Sequence, residues 1–223
     1  MSRHLIREVD NLKSEIVGLA TRVEEALRGA VKSLIARDSR MALEVIRDDN
    51  LIDAIEVDIE EECLKIMALH QPVAIDLRVV VAILKINNDL ERIGDLAVNI
   101  AERAVDLSKG EPVPTQFDFK KMGEKVQAML RKSLDALVAM EPELAIEVLR
   151  SDDEIDAIHR QMYQQIKAEI ALRPEKVDYY IQLLAVSRNL ERVADHATNI
   201  SEDVIYLAEG HIIRHSNGKE ISS

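Results

Sequence analysis

Two clusters of acidic and amide side chains recur one hundred residues apart. The first is Asn88-Asp89-Leu90-Glu91-Arg92-Ile93-Gly94-Asp95, followed by Asn99 and Glu102. The second is Arg188-Asn189-Leu190-Glu191-Arg192-Val193-Ala194-Asp195, followed by Asn199 and Glu202. A helix turns 100° per residue, so Glu91, Asp95, Asn99 and Glu102 fall within roughly 80° of one another, and their counterparts do likewise. Carboxylates spaced i,i+4 repel by a few tenths of a kcal/mol, so a duplicated acidic stripe calls for an offsetting cation. A hard metal ion or a basic group on a partner would supply it.

Each stripe is preceded by another acidic pair at the same spacing, Asp49 with Asp53 and Asp152 with Asp156. Pairs from neighbouring helices can converge on one ion, as in the metal sites of helical bundles. All-oxygen donors favour Mg²⁺, Ca²⁺, Mn²⁺ or Fe over tetrahedral structural zinc. A solvated face in which Arg92 and Arg192 pair with their neighbours would use the same residues without an ion. His159 and His196 could each replace an oxygen in the second set, or lie on the helix surface. His4, His70, His211 and His215 show no ligand spacing along the chain.

Catalytic constellations are not evident. The Glu-x-x-His pairs of di-iron bundles are missing, as are a phosphate-cradling glycine loop and a nucleophile elbow. Cys63 has no adjacent base and is expected to be inert. A non-enzymatic protein is the expectation, with a carboxylate-based metalloenzyme and a metal-free scaffold as the alternatives.

The elements that must position these groups are helical. Apolar residues make up 47% of the chain and aromatics only 3%, with seven Gly and five Pro in 223 residues, which disfavours many short strands. Leu5, Val9, Leu12, Ile16, Leu19, Val23, Ala26 and Ala30 alternate steps of four and three, the seam of a bundle helix. Asp38 and Ser39 can cap a second helix running from Met41 to about Leu69. Pro72 suits the first turn of a third, which ends before Gly110. Gly110 to Thr115 reads as a linker. Three more helices follow, over about 117–139, 142–172 and 174–208, with Met67, Met122, Met129 and Met140 expected to fill core gaps. Arg47-x-Asp49-x-x-Ile52-Asp53 is matched by Arg150-x-Asp152-x-x-Ile155-Asp156, so the duplication reaches beyond the acidic stripes. The predicted fold is all-α: two tandem three-helix bundles over 1–110 and 111–210, and a tail over 211–223. The register that would set both acidic pairs at one height is not fixed by sequence.

The formal charge of −12 weighs against binding nucleic acid or anionic lipid. A lone cysteine, a charged start and no long apolar run point to a reducing, cytoplasmic setting without membrane insertion.

At these residues the chain resembles the PhoU family of bacterial phosphate-signalling and phosphate-transport accessory proteins. Asn88 to Glu102 and Asn189 to Glu202 match the family's doubled E(D)xxxD signature, and Pro72 to Arg78 looks like its helix-three opening. The resemblance implies two three-helix PhoU domains, commonly assembled as a dimer. It also implies iron, zinc or other metals at Glu91, Asp95, Glu191 and Asp195, with Asp49, Asp53, Asp152 and Asp156 as co-ligands. The implied role is negative regulation of phosphate uptake and starvation genes, through the sensor histidine kinase PhoR and the transporter ATPase PstB. Two departures stand out: Tyr180 occupies the second-half counterpart of Arg78, and Ala194 that of Gly94.

Overall fold

A computed structural model of the chain describes residues 3–111, 113 and 117–210. These residues form α1 (Arg3–Ala36), α2 (Ser39–His70), α3 (Ile75–Lys109), α4 (Phe119–Ala139), α5 (Pro142–Leu172) and α6 (Val177–Glu209). The predicted seams are the ones buried. Leu12, Leu19 and Val23 of α1, Leu90, Ile93 and Ile100 of α3, and Leu190, Val193 and Ile200 of α6 are wholly excluded from solvent.

In each half the first two helices pack on the third: α1 and α2 on α3, α4 and α5 on α6. The halves join through α3 against α6 and α1 against α4. Lys85 of α3 reaches Asp203 of α6 at 3.0 Å, and Arg103 reaches Gln182 at 3.0 Å. These crossed contacts make α3 and α6 an antiparallel central pair, related by a pseudo-twofold near Ile93 and Val193.

Local chemistry sets most helix ends. Asp38 caps α2 by accepting the backbone N–H groups of Arg40 at 3.0 Å and Met41 at 3.3 Å. Asp118 accepts that of Lys121 at 2.9 Å and starts α4. Pro72 departs from expectation: α3 begins three residues later, at Ile75. Gln71 closes α2 in the left-handed region (φ 44°) and Ala74 takes φ 51°, so Pro72 belongs to the reversal between antiparallel helices. Gly110 ends α3 in an extended conformation, with its carbonyl and that of Leu107 tied by the Arg37 guanidinium. Met122 and Met129 fill the core as expected. Met140 instead stands 40% exposed and ends α4 with φ 55°.

The α1–α4 seam depends on one close approach. A Cβ placed on Gly123 would lie 2.5 Å from Cγ1 of Val31. Gly123→Ala is therefore expected to cost about 1–3 kcal/mol by overpacking. Urea unfolding should show this loss, and Val31→Ala in the same chain should recover most of it. An unchanged midpoint in Gly123→Ala would refute the tight contact.

Candidate cation-binding faces

Three contacts fix how α2 lies against α3. The Cys63 thiol sits 4.0 Å from the Val80 carbonyl. Asn87 donates its amide to the Glu56 carbonyl at 2.9 Å and to the Glu56 carboxylate at 3.2 Å. A Cβ on Gly94 would lie 3.4 Å from Oδ1 of Asp49, so α2 and α3 close up where the acidic residues stand. In the second half His159 and Ser187 occupy the positions of Glu56 and Asn87, with His159 Nδ1 2.8 Å from Ser187 Oγ. The same register thus operates twice. It places Asp49 and Asp53 beside Glu91 and Asp95, and Asp152 and Asp156 beside Glu191 and Asp195.

Crowding shows in the electrostatics. Partial burial, then Asp53 and Asp95, push the Asp49 carboxyl up to about 6. Asp152 is raised to about 6 by burial and then by Asp195 and Asp156. Glu91 is raised by burial and Asp95, with Arg92 opposing. Burial and Asp195 raise Glu191, against the pull of His159, while burial and Asp156 raise Asp195. Oε2 of Glu91 is buried without a hydrogen-bond partner. The chain's own cations lean over these faces: Arg92 lies 3.5 Å from Glu91 and 3.7 Å from Asp95, and Arg160 3.1 Å from Asp156.

The outer candidates sit apart from these quartets. Glu102 is seven residues beyond Asp95, about 10 Å along the axis, and its carboxylate is 3.8 Å from Arg103. Asn99 is half-buried on the intervening turn and Glu202 half-buried at the equivalent of Glu102. Asn199 donates its amide to Asp89 at 3.1 Å, across the junction of the halves. His196 does the same work, with Nδ1 2.7 Å from Asp89, and so faces α3 rather than the second quartet. Nothing in the local pattern around Asp89 signals this long-range pair.

Within the quartets no three ligand atoms come within 4.8 Å of one another; among the described residues only His4, Glu8 and His70 do so. The donor chemistry still suits a hard cation: four oxygen-bearing side chains from two helices, with shared desolvation. An ion held there would neutralise the face and keep positions open to water or an anion.

The halves are not equivalent. Beside the second quartet a cleft of about 470 Å³ is lined by His159, Tyr163, Leu184, Arg188, Glu191, Arg192 and Asp195. His159 and Arg188 stand where the first half has Glu56 and Asn88, leaving the first face more acidic. The two departures also find local reasons. Arg78 stacks on the Tyr206 ring at 5.5 Å, whereas Tyr180 is buried and donates its hydroxyl to Glu169 at 3.0 Å. Cys63 is buried, and its thiol is pushed up to about 12 by burial and then Glu15, which leaves it unreactive.

Comparison with known proteins agrees with this architecture. The PhoU domain model matches twice, over residues 7–104 and 119–204. The phosphate-specific transport system accessory protein PhoU homolog of Aquifex aeolicus is 38% identical over 97% of this chain and 98% of its own. That of Pseudomonas putida is 35% identical over 100% of this chain and 88% of its own. The crystal structure of PhoU from Pseudomonas aeruginosa aligns with TM-score 0.89 at 34% identity, covering 92% of this chain and 99% of that one. The phosphate transport system regulatory protein PhoU from Streptococcus pneumoniae aligns with TM-score 0.83 at 30% identity, covering 93% and 98%. With both domains matched and the six-helix frame shared along nearly the whole chain, the protein belongs to the PhoU family.

Proposed function

We propose that this chain is a cytoplasmic, non-enzymatic negative regulator of phosphate uptake and of the phosphate-starvation response. It bridges the ATPase of the phosphate ABC transporter, PstB, and the sensor histidine kinase PhoR, and works as a homodimer. The observation that supports the role best is near-full-length similarity to phosphate-specific transport system accessory proteins. No helix among the described residues is long and apolar enough to cross a membrane, so contact with a transporter would be made from its surface.

Each acidic face holds metal in this reading: Fe, Zn, Mn or Mg on Asp49, Asp53, Glu91 and Asp95, and on Asp152, Asp156, Glu191 and Asp195. Asn99, Glu102, Asn199 and Glu202 extend the faces along α3 and α6. Metal would convert a self-repelling acidic surface into a neutralised, rigid one with open coordination positions. An adaptor shifts its partner only by binding one state better than the other, and a rigid helical frame preserves that difference. In a strain lacking the gene, phosphate-starvation genes should be expressed even in phosphate-rich medium, and the wild-type chain should restore repression. Normal phosphate-regulated expression in the deletion strain would overturn the role.

A further inference from the structure

At one end of the first bundle, about 25 Å along α2 from Asp53, α1 begins where α2 ends. His4 and Glu8 stand at i,i+4 on α1 and share a face. His70 is the last residue of α2, and the left-handed Gln71 behind it stops the helix so that the ring turns back toward α1. Nδ1 of His4 lies 3.1 Å from Oε1 of Glu8, and Nε2 of His70 lies 2.6 Å from Oε2 of the same carboxylate. The two imidazoles stack with centroids 6.0 Å apart and planes inclined by 28°. All three ligand atoms fall within 4.8 Å of one another.

We propose that His4, Glu8 and His70 form a site for one borderline divalent metal, Zn²⁺ foremost, that staples the start of α1 to the end of α2. Tetrahedral zinc with ligands at 2.0–2.2 Å needs donor atoms roughly 3.3 Å apart; the two imidazole–carboxylate separations, 3.1 and 2.6 Å, are somewhat shorter, and all three donors lie within 4.8 Å of one another. The ion would take the place of the direct contacts between the two rings and the Glu8 carboxylate. Two imidazole nitrogens and one carboxylate favour Zn²⁺, Co²⁺, Ni²⁺ or Cu²⁺ over Mg²⁺ or Ca²⁺. Three protein ligands leave a fourth position for water or an exogenous anion. Glu8 and His70 are mostly buried (side chains 18% and 22% exposed), which holds two ligands in place, while His4, 75% exposed, stands on the solvent side of the site. The donor set differs in kind from the oxygen-only faces, and the site does not depend on them.

The test is a Co²⁺ titration of the full-length chain followed by visible ligand-field absorption, with Zn²⁺ as competitor. A band saturating at one equivalent and displaced by Zn²⁺ is expected. His4→Ala and His70→Ala should each weaken it at least tenfold, and Asp95→Asn with Asp195→Asn should leave it unchanged. His4 is exposed enough that His4→Ala keeps the fold, which far-ultraviolet circular dichroism would verify. No band, a band unaffected by His4→Ala, or a band lost with the acidic-face variant would mean a hydrogen-bonded cluster only and overturn the proposal.

Discussion

Leu90→Ala should lower the unfolding free energy by about 2–5 kcal/mol, and Leu190→Ala by a similar amount. Both side chains are wholly excluded from solvent, at equivalent seam positions of the two central helices. Truncation removes apolar burial and leaves a cavity that the long packed helices only partly collapse into. Both positions lie near the pseudo-twofold, so the double variant should deviate from additivity. Glu91 and Glu191 are the next residues along, and a loosened α3–α6 pair would disturb both acidic faces together. Urea unfolding of the single and double variants measures the effect. A Leu90→Ala midpoint equal to that of the wild type would contradict the central packing described here.

Neutralising the two most strongly perturbed carboxyls should stabilise the metal-free chain. Asp49 and Asp152 are raised to about 6, chiefly by burial and then by neighbouring aspartates. An acid whose folded-state value exceeds its unfolded value favours folding while protonated. That stability is fully present below about 4 and is lost as pH rises through 6. At pH 7.5 both carboxylates are charged and unfavourable, so Asp49→Asn with Asp152→Asn should raise the melting temperature, by about 2–4 °C per kcal/mol recovered. At pH 4 the gain should vanish. Adding metal should reverse the order at pH 7.5, because only the wild type then gains from binding. A variant no more stable than the wild type in chelator at pH 7.5 would show that the two faces are not strained.

Helical periodicity made the architecture readable in advance. Each seam from Leu5 to Ala30, and from Ile86 to Ala104, is local information that sequence carries directly. The register of α2 on α3 is different, because it depends on interdigitation at distance: Gly94 beneath Asp49, Asn87 against Glu56. The residue types of both quartets were therefore visible, but not their meeting. Asn199 looked like a continuation of the second stripe, yet its amide turns to Asp89 because α6 presents that side to α3. His4-x-x-x-Glu8 alone reads as an ordinary helix pair, and only the return of α2 brings His70 to it. Pro72 misplaced the start of α3, since a proline fits a helix-opening turn and a chain reversal equally well.

The most direct measurement is elemental analysis of the full-length chain purified without chelator, beside the Glu91→Gln, Asp95→Asn, Glu191→Gln, Asp195→Asn quadruple variant. The wild type should retain metal that the variant lacks, beyond any single equivalent that both share through His4, Glu8 and His70. Equal metal content in the two proteins would contradict the assignment of cations to the acidic faces.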